Sequence, residues 1–222
     1  MTDKRDILHG TPLMAGLAEP LVDELLAICQ QRRLRDGEYI YRQGEEGDAM
    51  YGLLEGKIRL SNTTREGREL LVMLVERGDW IGEVSLFDGA ARSQDAYALG
   101  DTEVLRIGKE QLDTLLEARP ELYRYFVPML CRKLRLALSY VEATALYPLS
   151  ARLARRLLDL HQQSADSELH FPQEDLAKML AVSRQALSRE LKRLEAAGAV
   201  AVSYGKLRIL NVDLLCSEAV AG

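Results

Sequence analysis

The chain has 222 residues, of which 47% are apolar and 28% charged, with a formal charge of −5. That length accommodates two small domains with separate cores, and the composition excludes a disordered or fibrous chain. No apolar run approaches the ~20 residues of a membrane helix. The opening MTDKRDILHG lacks the apolar core of a secretory signal, so a cytoplasmic location is expected. Cys29, Cys131 and Cys216 have neither metal-ligand nor disulfide-framework spacing, and an iron–sulfur cluster would need its thiolates closer together.

Charge is distributed unevenly. Residues 1–119 hold 15 Lys/Arg against 23 Asp/Glu, a balance of −8, whereas residues 120–222 hold 14 against 11, a balance of +3. Within Val182–Leu210 six basic residues face two acids. An acidic sensor joined to a basic reader would have this asymmetry.

In chain order, Ala18–Gln31 carries apolar residues at helical intervals, with Pro20 tolerated in the first turn. From Leu34 short β-type runs alternate with glycine-marked turns. The runs are Tyr39–Tyr41, Met50–Leu54, Lys57–Ser61, Glu69–Val75 and Glu103–Ile107, and Glu55-Gly56 is read as one of the turns. Many short strands at this spacing predict a β-sandwich or jelly-roll-like barrel.

Inside this block lies Gly82-Glu83-Val84-Ser85-Leu86-Phe87-Asp88-Gly89-Ala90-Ala91-Arg92-Ser93, read as a glycine-bounded loop able to wrap a small anion. Gly82 lets backbone N–H groups approach a ligand. Arg92 offers a planar fork matched to phosphate oxygens, and Ser93 adds a hydroxyl. Glu83 is an acceptor suited to a sugar hydroxyl.

Pro120–Leu146 reads as one long helix. Tyr123, Val127, Leu130, Leu134, Ala137, Val141 and Thr144 recur at alternating four- and three-residue steps, the seam of a two-stranded coiled coil. A helix packed only on its own domain is the competing reading, and Arg132, Lys133 and Arg135 beside the seam do not separate the two.

Pro148 opens a further helix, Leu149–Gln163, followed by a polar loop at Ser164–Leu169. Gln173–Leu180 and Arg184–Ala197 read as two helices joined by Ala181-Val182-Ser183, with Ser183 as N-cap and Gly198 as terminator. Val200–Ser203 and Leu207–Leu210 form a hairpin through Tyr204-Gly205-Lys206, which completes a winged helix. Arg184, Gln185, Ser188 and Arg189 share one face near a helix N-terminus, the end presented to major-groove base edges. Arginine suits guanine O6/N7 and glutamine suits adenine N6/N7. Lys192, Arg193 and Lys206 are candidate DNA contacts, Lys192 and Arg193 to phosphate. His9, His161 and His170 lie outside the cassette and are read as ordinary histidines.

The segment Gly82–Ser93 resembles the phosphate-binding cassette of the cyclic-AMP receptor protein/fumarate-nitrate regulator (CRP/FNR) superfamily, and Val182-Ser183-Arg184-Gln185-Ala186-Leu187-Ser188-Arg189-Glu190-Leu191 resembles its DNA-reading motif. The resemblance covers residues from about 20 to 211. It implies an α+β chain with a cyclic-nucleotide-binding β-roll at 1–119, a dimerisation helix and hinge at 120–147, and a winged helix-turn-helix at 148–222. It also implies a homodimer through 120–146. Arg92 and Ser93 would hold a cyclic phosphate, Gly82 and Glu83 its ribose edge, with Val84 and Ser85 beside them. Where cyclic-AMP responders of the family place hydroxyl residues against the base, this chain has Ala137 and Leu138, whose side chains neither donate nor accept. The effector therefore stays open between cyclic AMP held phosphate-first, another nucleotide such as cyclic di-GMP, another small ligand, and a silent pocket with Arg92 in a structural ion pair. Relatives often carry glutamate at the position of Gln185, so a shifted or relaxed base preference is expected there.

The expected function is a homodimeric transcription regulator that binds a palindromic operator in double-stranded DNA. Ser164–Leu169 is placed as a candidate contact for RNA polymerase. The alternative is a cyclic-nucleotide module acting on a protein partner. No nucleophile–base pair, metal cluster or P-loop is present in the sequence, so neither a catalytic nor a metal site is expected.

Overall fold

The computed structural model describes residues 13, 16–163, 168–170, 172–203 and 206–220. His9, the 164–167 part of the polar loop and the Tyr204-Gly205 turn lie outside them. The chain divides into two compact units, Met1–Gly67 with Val72–Leu134, and Arg68–Leu71 with Arg135–Gly222.

The first unit opens with helix α1 (Glu19–Ala27), shorter than its periodicity predicts. The polar run after it becomes strand β1 (Cys29–Leu34), which pairs with β6 (Asp95–Gly108) from Cys29↔Ile107 to Leu34↔Thr102. Ladder bonds override a weak helical tail here. Strands β2 (Tyr39–Tyr41), β3 (Ala49–Thr63), β4 (Glu69–Val75) and β5 (Trp80–Ile81) complete one sheet, ordered β1-β6-β3-β4, with β2 on β6 and β5 on β3.

The turn expected at Glu55-Gly56 is instead a bulge within the 15-residue β3, whose register against β6 shifts between Leu53 and Lys57. Gly56 has φ +89°, and a Cβ there would meet the Asp101 carbonyl oxygen at 2.6 Å. Glycine lets the strand bend and continue where another residue would break it.

β3 is apolar on both faces because it lies between two cores. Ala49, Tyr51 and Leu53 join the roll interior with Ile40, Val104 and Ile81. Met50 and Leu54 join a second cluster with Leu25, Leu112, Leu122 and Phe126. The period-two alternation therefore separates two buried layers. The second layer includes α3 (Lys109–Ala118), a helix the sequence reading missed.

Two more helices carry features of the candidate sites. The glycine-bounded segment is not a loop but a six-residue helix, α2 (Glu83–Asp88), set between left-handed Gly82 and Gly89. The long helix starts with a 3₁₀ turn at Pro120–Leu122 and becomes α4 at Tyr123–Leu146. Phe126 and Met129 are buried, whereas Tyr123, Val127, Leu134 and Val141 are exposed.

The second unit contains α5 (Leu149–Gln163), α6 (Gln173–Met179), α7 (Arg184–Ala196) and α8 (Val212–Val220). Its antiparallel sheet runs β7-β9-β8, from β7 (Glu168–His170), β8 (Val200–Ser203) and β9 (Lys206–Ile209). Both β7 and α8 escaped the sequence reading, which placed residues 168 and 169 in a loop. The core joins Leu153, Leu157, Leu176, Leu187, Leu191, Leu194, Leu207 and Leu215. Among the described residues no helix is long and apolar enough to cross a membrane.

Candidate effector cassette and nucleic-acid interface

The cassette is built around two buried charges. Chain reversal after β5 requires Gly82, whose φ is +86°; a Cβ there would lie 2.7 Å from Arg92 Nη1 and 3.0 Å from the Ala49 oxygen. Both conformation and space therefore demand glycine. Arg92 is 2% exposed. Its Nη1 donates to the Gly82 carbonyl at 2.7 Å, and its Nη2 to the Ala49 carbonyl at 2.5 Å and to Asp48 Oδ1 at 3.3 Å. The guanidinium lies 4.4 Å from the centroid of the Tyr41 ring. Its backbone is pinned as well: Arg92 N–H donates to the Glu45 carbonyl, and Gly44 N–H donates to the Arg92 carbonyl.

Glu83 is 1% exposed. Lys133 Nζ from α4 donates to Glu83 Oε1 at 2.7 Å and to the Trp80 carbonyl at 2.6 Å. Arg92 Nε and Glu83 Oε2 are buried without a hydrogen-bond partner. Burial pushes the Tyr41 phenol well above its ordinary pKa; the Arg92 charge opposes that rise and Glu83 adds to it. Partial burial works to raise the pKa of Asp48, but the Arg106 hydrogen bond and the charges of Arg106 and Arg92 outweigh it and hold the carboxyl low.

Among the residues read from sequence, Gly82, Glu83 and Arg92 therefore converge. Ser85 is buried against Gly47, where an added Cβ would meet Ser85 Cβ at 2.5 Å. Val84 and Ser93 are exposed, as are Ala137 and Leu138 on α4. Tyr41, Asp48 and Lys133 were missed as cassette residues. Lys133 did stand beside the heptad seam in the sequence, but nothing local connects it to Glu83, 50 positions earlier.

The second candidate site is α7. Ser183 caps it, its hydroxyl oxygen accepting from Ala186 N–H at 3.2 Å. Leu187, Leu191 and Leu194 are buried, which turns Arg184, Gln185, Arg189 and Lys192 to the exposed side and leaves Ser188 half-buried. Lys206 is exposed on β9. Arg193 is differently placed. Its Nη1 and Nη2 donate to Glu218 Oε1 and Oε2 on α8 at 2.8 and 2.7 Å, and its Nε donates to Glu190 Oε2 at 3.0 Å. The phosphate contact expected of Arg193 thus competes with two carboxylates already holding its fork.

Known proteins share both halves of this architecture. The cyclic nucleotide-binding domain family matches residues 31–119, and the Crp-like helix-turn-helix domain family matches residues 151–218. The cyclic AMP receptor protein of Thermus thermophilus is 32% identical over 208 residues, covering 94% of this chain and 96% of that protein. A CRP-like cAMP-activated global transcriptional regulator of Mycobacterium tuberculosis is 24% identical over 193 residues, covering 84% and 86%. Among solved structures, the catabolite activator protein of Thermus thermophilus aligns at 33% identity with a TM-score of 0.54, covering 94% and 98%. The c-di-GMP responsive global regulator CLP of Xanthomonas campestris shares the fold, with a TM-score of 0.78 at 21% identity and coverage of 87% and 100%. The chain belongs to the CRP/FNR superfamily: it is a transcription regulator with a cyclic nucleotide-binding domain and a Crp-like helix-turn-helix DNA-binding domain.

Proposed function

We propose that the chain acts as a cytoplasmic homodimer, paired along the exposed apolar face of α4, that binds an imperfect palindrome in DNA under control of a cyclic nucleotide. The observation that carries the operator reading is the split of α7. Three leucines bury one face, while Arg184, Gln185 and Arg189 stand exposed around a helix start capped by Ser183. Two such helices in a dimer match half-sites about 34–36 Å apart. Lys192 and Lys206 would touch phosphate and fix register without reading sequence.

Replacing Arg189 by alanine is expected to cost about 1–3 kcal/mol of operator affinity and to relax preference at one base pair per half-site. Gln185→Glu exchanges a side chain that donates and accepts for an acceptor alone, so the preferred base at its position should move toward cytosine, whose N4 amine donates. Selection of bound duplexes from a randomised pool measures both effects. Identical preferred sites for parent and Gln185→Glu would remove Gln185 from base readout.

Support for an effector comes from the cassette and from the relatives. Glu83 and Arg92 are buried charges that each retain an unpartnered polar atom, a state a ligand of the right shape relieves. Cyclic AMP is the effector named for the Thermus and Mycobacterium relatives, and c-di-GMP for the Xanthomonas protein. With Ala137 and Leu138 on α4, the base would be held by apolar contact and not by side-chain hydrogen bonds. One observation favours a second reading, a roll that needs no ligand: both terminal nitrogens of Arg92 already bond protein oxygens. Titration calorimetry with cyclic AMP and with cyclic di-GMP decides. About micromolar binding of one of them is expected; no heat from either would favour the silent roll.

A further inference from the structure

The C-terminal helix α8 is held at both ends by the unit that carries the recognition helix. At its start the Asn211 side chain caps it, Oδ1 accepting from Leu214 N–H at 3.1 Å, while the N–H groups of Leu210 and Asn211 both donate to the Ala199 carbonyl. Leu215 and Ala219 are buried in the core that also contains Leu187, Leu191 and Leu194 of α7. In its last turn two arginines converge. Arg155 of α5 donates through Nε to the Ala219 carbonyl at 2.9 Å, its guanidinium 3.6 Å from the centroid of the Tyr147 ring. Arg193 of α7 grips Glu218 with two parallel bonds. Cations suit a helix C-terminus, and fork-to-fork arginine–carboxylate pairing fixes direction as well as distance.

The Arg193 pairing also argues against a role on DNA. Nε, Nη1 and Nη2 of Arg193 all face carboxylate oxygens, and the group of Arg193, Glu190 and Glu218 carries a net negative charge. A phosphate brought to Arg193 would meet two carboxylates with it. The acids also hold Arg193 strongly protonated, the Glu218 hydrogen bond contributing most, and Arg193 in turn holds the Glu218 carboxyl below its ordinary range.

We propose that α8 is a strut that orients the recognition helix, with Arg193 and Glu218 as the positioning pair and Arg193 not a DNA contact. The inference rests on reading α7 as the helix that enters DNA. It makes affinity for DNA depend on a carboxylate, a group that DNA itself repels.

The sign of one substitution separates the two roles of Arg193. If Arg193 were a phosphate contact restrained by Glu218, Glu218→Gln would release it and tighten binding. If the pair is a strut, Glu218→Gln loosens α7 and weakens binding. The 222-residue chain, its Glu218→Gln and Arg193→Gln variants and the double variant are compared by fluorescence anisotropy on a duplex that the parent recovers from a randomised pool. Each single variant should weaken binding about five- to tenfold, and the double no further, because the two residues act as one unit. The slope of log affinity against log salt should stay that of the parent. Tighter binding by Glu218→Gln, or a slope lowered by about one in Arg193→Gln, would overturn the proposal.

Amide hydrogen exchange tests the strut without DNA. Faster exchange in the last turns of α7 is expected in Glu218→Gln, and parent-like protection there would also overturn the proposal. A parent that recovers no duplex at all would count against the operator reading, while the strut would still stand or fall on exchange.

Discussion

Arg92→Ala should destabilise the β-roll by about 3–5 kcal/mol, the scale of breaking a buried charged network. The substitution strips the partners from the Gly82 and Ala49 carbonyls, removes the cation from the Tyr41 face and leaves a void where a side chain 2% exposed had been. The chain's single tryptophan, Trp80, is buried in this unit, so its fluorescence during urea unfolding reports on the roll and not on the DNA-binding unit. A lower midpoint at unchanged slope is the expected result. An unmoved Trp80 transition would mean that the Arg92 bonds contribute nothing to the fold and that the residue serves a ligand alone. Loss of nucleotide binding in Arg92→Ala is therefore evidence of a contact only when measured below the variant's own unfolding transition. Gly82→Ala should act in the same direction, since its Cβ would push directly on Arg92 Nη1.

Converting the α4 seam to charge should have the largest effect on DNA binding. Val127, Leu134 and Val141, seven residues apart, are 53%, 59% and 63% exposed, too much apolar surface on one helix face to leave in water. In the proposed parallel dimer, Leu134→Glu with Val141→Glu places like charges opposite each other, where burial without a partner is costly. Analytical ultracentrifugation should show monomers. Operator affinity should fall by about 10²–10⁴, because one half-site must then be held without the gain of linked binding. A variant that stays dimeric would remove this face from the interface. A monomer that keeps the parent's operator affinity would mean that each recognition helix acts alone.

Much of the DNA-reading unit is legible in the amino-acid sequence. Ser183 before Arg184, leucines at positions 187, 191 and 194, and Gly198 after the last turn are signals contained within a few helical turns, and α7 forms where they place it. The apolar seam of α4 is legible for the same reason, as a periodicity along one helix. The roll is legible as a class, from short strands and glycine punctuation, but not in its connections. Gly56 marks a turn in isolation and a bulge once β6 supplies a partner on both sides of it, from Ala49 to Ser61. The α2 segment is too short to hold a helix alone, and its two left-handed glycines with a buried Leu86 make it one in place.

The cassette shows where sequence reading stops. Residue types alone marked Arg92 as a fork for phosphate and Glu83 as an acceptor for a sugar hydroxyl. What they touch is decided by Asp48 and Ala49, more than 40 positions before Arg92, and by Lys133, 50 positions after Glu83. Arg193 followed the same course: the motif offered it to phosphate, and a carboxylate 25 residues away took its fork. Caps, periodicity and turn residues act over about one helical turn, so the sequence by itself determined the helices of the DNA-reading motif, the seam of α4, the family and the faces those helices turn outward. The partners of a charged side chain are chosen by whichever distant group the fold brings within about 3 Å, and only the tertiary structure decided those.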